Sequence, residues 1–103
     1  MPDEIKPKAG EYVLCLYVAG STPQSICAIK NLKAICDTHL PDHYTLTVVD
    51  LYEQRERARA AQIVVAPTLV REWPHPVRRL IGDLAQTERV LAMLELSAHP
   101  LPA

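Results

Sequence analysis

Apolar and polar residues along the first half of the chain alternate in ways that predict a strand, a helix and a second strand. Residues 12–19 are apolar, aromatic or β-branched almost throughout, which is typical of a central strand covered on both faces. Between Pro23 and Leu40, apolar residues recur at three- to four-residue steps and leave lysine, asparagine and aspartate on the other face, the pattern of an amphipathic helix. Residues 44–50 alternate tyrosine, leucine and valine with threonine, which indicates a half-buried strand.

The second half of the chain predicts a short helix, a hairpin and a last helix. Residues 53–62 are charged, with alanines between the charges, which favours a short surface helix. Residues 68–72 and 77–81 are short strand-like runs, and the loop between them is long enough for an antiparallel hairpin. Residues 87–96 place valine and leucines on one helical face.

Candidate capping residues precede the first and last helices. Ser21 or Thr22 can accept a hydrogen bond from the first turn of the first helix, and Pro23 suits an early helical position. Asp83 or Thr87 is available in the same role for the last helix. These residues predict where both helices begin.

The element order β-α-β-α-β-β-α predicts an α/β fold of the thioredoxin-like class. Right-handed crossovers followed by a hairpin and a terminal helix give a mixed four-stranded sheet with helices on both faces. That fold has a proline, commonly after a cis peptide bond, just before its third strand, so we predict a cis Ala66–Pro67 bond. Gly82 falls where the fourth strand must turn into the last helix.

A chain of 103 residues has room for one domain. Residues 1–10 are mostly polar, with two prolines and a glycine, and residues 97–103 contain two more prolines. We therefore predict a folded domain over residues 11–96, between a flexible N-terminal tail and a flexible C-terminal tail.

Charge and hydropathy exclude several classes of function. The net charge of −1 and the isoelectric point near 6.4 argue against a nucleic-acid partner, because phosphate binding leaves a basic surface. No apolar stretch approaches the length of a membrane span, and residues 1–10 lack the apolar run of a secretory signal. We expect a cytoplasmic protein with no membrane partner.

The three cysteines do not form the pair that thioredoxin catalysis needs. That chemistry uses a thiolate at the N-terminus of the first helix and a second cysteine three residues on. Cys27 lies about one turn inside the helix, and Cys15 and Cys36 are far from it in sequence. We expect a binding protein without catalytic residues; a thiol oxidoreductase that uses Cys27 is the alternative.

Histidine spacing gives no sign of a metal site. His39 and His43 are four residues apart, but Pro41 breaks the helix between them. We therefore predict no metal and no cofactor.

Several motifs resemble those of the KaiB family, a group of small circadian-clock proteins. The motifs are LYVAGSTPQS at residues 16–25, VDL at 49–51, APTL at 66–69 and PHPVRRLIGDL at 74–84. The resemblance extends over residues 12–96, although the family usually has asparagine at the position of Ser21.

The resemblance implies a non-enzymatic regulator that docks on the ATPase and autokinase KaiC to modulate circadian or stress-related signalling. In clock systems such proteins also capture KaiA and compete with the thioredoxin-like sensor domain of a histidine kinase. A detached sensor-like module of such a kinase is therefore another alternative.

KaiB proteins are also known for fold switching between a tetrameric ground state, with its own C-terminal topology, and a monomeric thioredoxin-like state that binds KaiC. The resemblance places the residues that decide the fold around Pro76, Gly82, Asp83 and the last helix. Clock KaiBs tend to have glycine and aspartate at the positions of Met93 and Glu95, where this chain has helix-forming residues. We therefore expect a thioredoxin-like monomer at rest, with the tetramer as the alternative.

Two groups of residues are candidates for partner binding. Thr45 and Thr47 lie on the predicted edge strand, where clock KaiBs often carry a lysine, and this difference argues against a KaiA interaction. The second group lies around the hairpin and consists of Arg71, Trp73, Pro74, Arg78 and Arg79. Arginine suits bidentate recognition of carboxylates, whereas Trp73 suits either a partner anchor or a cap on the hairpin core.

Overall fold

The computed structural model describes residues 11–95 and contains all seven predicted elements in the predicted order. They are β1 (Tyr12–Val18), α1 (Pro23–His39), β2 (Tyr44–Asp50), α2 (Arg55–Ala60), β3 (Thr68–Trp73), β4 (Arg78–Ile81) and α3 (Thr87–Met93). The predicted tails lie outside the described residues.

The four strands form one mixed sheet in the order β2-β1-β3-β4. β1 pairs with β2 in parallel and with β3 antiparallel, and β3 and β4 form the predicted antiparallel hairpin. As a result β1, β2 and β4 all finish at the end of the sheet where β3 begins. We call this the carboxyl end, and the opposite end, where β1 and β2 begin, the amino end.

Alternation along β1 places residues in two hydrophobic layers. Leu14 and Leu16 belong to the larger core cluster, together with Leu32 of α1 and Leu91 of α3. Cys15 and Tyr17 point the other way and belong to a smaller cluster with Ala58 of α2. The apolar run in the sequence therefore reflects burial on both faces of a central strand.

Helix α1 begins as predicted. The Thr22 hydroxyl accepts the Ser25 N–H at 3.3 Å, and Pro23 follows the cap. Ile26, which the periodicity assigned to the apolar face, is exposed. That assignment was wrong because the first two turns of α1 bury Ser25 and Ala28, and Ile26 lies outside the face that those two residues define.

Helix α3 begins at Thr87, as predicted, but its capping residue and its last residue differ from the prediction. Gln86 occupies the N-cap and makes no side-chain cap bond, while the Asp83 carboxylate accepts the Ala85 N–H at 3.1 Å. The helix ends at Met93, and Glu95 adopts a left-handed backbone conformation with φ of 62°. The expectation that the helix covers Glu95 is therefore wrong, since tertiary contacts of this residue prevail over its helix propensity.

The backbone near β3 and β4 shows the two predicted landmarks. The Ala66–Pro67 peptide bond is cis, as are the bonds before Pro74 and Pro76. Gly82 has φ of 124°, a region that favours glycine, and its N–H donates to the Pro67 carbonyl at 2.9 Å. This hydrogen bond joins the start of β3 to the turn after β4 at the carboxyl end.

Candidate docking surfaces

Arg71, predicted to bind a partner, is fully buried, with 0% of its surface exposed. Its Nη1 donates to the Met93 carbonyl at 3.1 Å, and its Nη2 donates to the Pro76 carbonyl at 2.8 Å and to the Glu95 carboxylate at 3.2 Å. In this fold Arg71 offers no surface to a partner, because the end of α3 covers β3 and encloses the guanidinium.

Strand β1 also contacts the end of α3. The Tyr12 hydroxyl of β1 donates to the Leu94 carbonyl at 2.9 Å. Burial raises the pKa of Tyr12, an effect that Arg71 counteracts and Glu95 reinforces. We call Tyr12, Arg71 and Glu95 the latch, because together they bind the last turn of α3 to the amino end of the sheet.

The two arginines of β4 differ in their availability to a partner. Arg78 is exposed, with its Nε 3.6 Å from the Glu95 carboxylate. Arg79 donates from Nη1 to the Gln62 carbonyl at 3.1 Å and from Nη2 to the Ala61 carbonyl. Arg79 therefore secures the end of α2, and Arg78 keeps more of its guanidinium open to solvent.

The remaining predicted residues lie at the amino end and along one edge of the sheet. Trp73 and Pro74 are half-buried, and the Trp73 ring meets the His75 ring edge-on at a centroid distance of 4.8 Å. β2 is an edge strand, as predicted, with Thr45 exposed and Thr47 half-buried. The two groups approach each other at the amino end, because Val13 of β1 pairs with Thr45 on one side and with Trp73 on the other.

The carboxyl end carries an apolar patch that the sequence predictions missed. Tyr52, which follows β2, is 66% exposed, Val64 is 90% exposed, and Ile81 at the end of β4 is 63% exposed. Val65 and Ile26 are also exposed at this end. The apolar patch is defined by Ile26, Tyr52, Val64, Val65 and Ile81.

Part of the apolar patch could have been predicted from the sequence. Residues 63–66 read Ile-Val-Val-Ala and lie between the short helix and the proline before β3, outside every predicted element. Apolar residues outside every predicted element are candidates for an exposed apolar patch, which marks an interaction site.

Hydroxyl groups occupy the start of α1, the part of the fold where thioredoxin catalysis needs thiols. The buried Ser25 Oγ accepts the Ala19 N–H at 3.1 Å and the Thr22 hydroxyl at 2.9 Å. Both side chains thus support the turn from β1 into α1.

The three cysteines are dispersed through the fold. Cys27 is exposed on α1, whereas Cys15 and Cys36 are buried. Burial raises the pKa of the Cys15 thiol, and it raises that of Cys36 to about 12 with a smaller contribution from Asp37. The two buried thiols are therefore poorly suited to forming the thiolate that redox chemistry requires.

Within residues 11–95, no cluster of three or more histidine, cysteine or acidic side chains is arranged to hold a metal ion. No helix in that part of the chain has the length and apolar character of a membrane span.

Solved structures with the same fold include a domain of SasA and a thioredoxin. The N-terminal domain of SasA from Synechococcus elongatus aligns with a TM-score of 0.69 and 20% identity, over 97% of this chain and 100% of that one. The thioredoxin Deadhead of Drosophila melanogaster aligns with a TM-score of 0.69 and 11% identity, over 86% of this chain and 84% of that one. The thioredoxin-like fold is confirmed by these similarities.

Sequence similarity is higher to circadian clock proteins. The circadian clock oscillator protein KaiB of a Synechococcus species is 47% identical over 85 residues, which cover 82% of this chain and 77% of the relative. Circadian clock protein KaiB3 of a Synechocystis species is 42% identical over 84 residues, which cover 82% of each chain. A sequence model described as the KaiB domain matches residues 15–96. This match over most of the chain, together with the similarity to named relatives, shows that the chain belongs to the KaiB family.

Proposed function

We propose that this chain is a non-enzymatic, cytoplasmic regulator of the KaiB type that docks on a KaiC-like ATPase through the apolar patch. The observation that carries the proposal is the concentration of five exposed apolar side chains at the carboxyl end of the sheet, defined above. Such a concentration is unusual for a surface that remains in water.

The chemistry of the patch fits protein docking. Tyr52 supplies a large aromatic side chain, a residue type enriched in interface cores. Fully burying one such valine or isoleucine side chain against a partner contributes about 1.5–3 kcal/mol. With hydroxyls at the start of α1, this end of the molecule can bind a protein surface without thiol chemistry.

Membership of the KaiB family supports the choice of partner. The relatives are named as circadian clock proteins, and we propose a KaiC-like ATPase as the protein on which this chain acts. The uncharged Thr45 and Thr47 on the edge strand argue against an additional KaiA interaction.

The latch refines our expectation for the resting state. Met93 is the last residue of α3 and favours the thioredoxin-like packing through helix propensity, whereas Glu95 lies beyond the helix and acts through Arg71. We propose a thioredoxin-like monomer at rest, with the tetrameric ground state reached only after the latch opens.

Binding of purified KaiC-like ATPase to exposed-residue variants tests the docking site. Val64→Ser and Ile81→Thr should each weaken binding, measured by biolayer interferometry, since each loses apolar area at the interface. Val77→Ser is the matched control: Val77 is 52% exposed but lies before β4, at the amino end. Unchanged affinity in the first two variants, or equal losses in all three, would reject the apolar patch as the docking site.

A further inference from the structure

Two arginines and one carboxylate meet just beyond the end of α3, at the amino end of the sheet and thus at the opposite end from the apolar patch. The Glu95 Oε2 lies 3.2 Å from Arg71 Nη2 and 3.6 Å from Arg78 Nε. Two positive charges therefore converge on one carboxylate oxygen.

Two neutral backbone carbonyls hold Arg71 in place, and neither of them balances its positive charge. The carbonyls of Met93 and Pro76 accept from its two terminal nitrogens and fix the guanidinium plane. The Nε hydrogen is buried and has no hydrogen-bond partner within residues 11–95. A bidentate oxyanion would use Nε and Nη2 together, whereas Glu95 bonds to Nη2 alone.

Glu95 is the replaceable member of this group. Its side chain is exposed, and its only described hydrogen bond uses one oxygen. Because 55% of the Glu95 side chain is exposed, water and salt weaken its attraction to the arginines, although Arg71 itself is buried. Arg71 is therefore the fixed part of the site, whereas Arg78 and Glu95 are both open to solvent.

Space for a larger group adjoins the site. A shallow cleft of about 410 Å³ lies beside it and is lined by residues that include Arg78 and Met93. A ligand entering from this side reaches Arg78 first, because Arg71 is covered by the end of α3.

We infer that Arg71 and Arg78 form an oxyanion-binding site whose internal occupant is the Glu95 carboxylate. When Glu95 leaves, the site takes a carboxylate or phosphate group in its place. This site is independent of the apolar patch and of the proposed partner.

Thermal unfolding of Glu95→Ala in phosphate tests the site. In about 50 mM sodium phosphate, this variant should gain on the order of 5 °C in its midpoint over chloride of the same ionic strength and pH. Wild type should gain clearly less, since Glu95 fills the site. The double variant Glu95→Ala/Arg78→Ala should lose the part of the midpoint increase that exceeds the increase in wild type. The increase that remains in the double variant measures the general stabilisation that phosphate gives through exclusion from protein surfaces.

A parallel titration with sodium acetate separates the two ligand types. Stabilisation of Glu95→Ala by both anions assigns the site to oxyanions in general, and stabilisation by phosphate alone assigns it to phosphate groups. If Glu95→Ala does not fold, Glu95→Gln, which removes the charge and keeps an oxygen acceptor, takes its place. Equal phosphate gains in wild type, the single variant and the double variant would overturn the proposal.

Discussion

The two ends of the sheet have opposite chemistry. At the amino end, α3 finishes over a buried arginine, and polar side chains from β1 and β3 bind its last carbonyls. At the carboxyl end, the loops leave apolar side chains in water, including Val64 at 90% exposure. The first end stabilises the fold, and the second leaves apolar area available for binding.

This contrast separates the residues that should change stability from those that should change binding. A variant at the amino end should lower the free energy of unfolding, and a variant in the apolar patch should lower affinity for a partner.

Arg71→Met should be the most damaging substitution. It removes the donors for the carbonyls of Met93 and Pro76 and leaves the Glu95 carboxylate beside an apolar side chain. We expect a loss of about 3 kcal/mol in the free energy of unfolding, measured by urea denaturation.

The control for Arg71→Met is Arg89→Met, which replaces an exposed arginine on α3. Its effect should stay within about 0.5 kcal/mol. Equal losses in the two variants would show that the buried guanidinium has no special role.

Val64→Ser should have little effect on folding and a large effect on binding. Because Val64 contacts mainly water in the free protein, we expect less than about 0.5 kcal/mol change in stability. Affinity for the KaiC-like ATPase should fall about tenfold, equivalent to about 1.4 kcal/mol of lost contact. A variant that binds normally but unfolds more easily would reverse the proposed division between the two ends.

Tyr12→Phe should have a moderate effect on the latch. It removes the hydrogen bond to the Leu94 carbonyl but keeps the aromatic ring in place. We expect a loss of about 1 kcal/mol, and hydrogen exchange in α3 should accelerate more than in α1. Uniform acceleration in both helices would contradict local release of α3.

The smallest effect concerns alkaline pH. Burial raises the pKa of Tyr12 above its ordinary value of 10.0, so the folded chain keeps a proton that the unfolded chain loses. The stability contributed by Tyr12 is fully present below pH 10 and declines as the pH rises above it. Wild type should therefore lose more stability than Tyr12→Phe between about pH 9 and pH 11. An identical decline in both proteins would contradict this assignment.

Local sequence patterns predicted most of the fold because they report local burial. The apolar run in β1 and the periodicity of α1 reflect contacts that every neighbouring residue shares. The cis Ala66–Pro67 bond and the turn at Gly82 followed from their places in the element order.

The features that sequence patterns missed depend on distant parts of the chain. Arg71 reads as an exposed strand residue, and only the packing of α3, more than twenty residues later, encloses it. Glu95 has good helix propensity but leaves the helix and pairs with Arg71. Val64 belongs to an apolar run outside every predicted element, and its side chain is exposed although the neighbouring Ile63 packs against the smaller core cluster.

Hydrogen–deuterium exchange of this chain bound to the KaiC-like ATPase tests the central claim most directly. We predict slower exchange in peptides that cover Tyr52, residues 63–67 and Ile81, with no change in residues 73–78 at the amino end. Protection confined to residues 73–78 or to β2, with none around Val64, would contradict docking through the apolar patch.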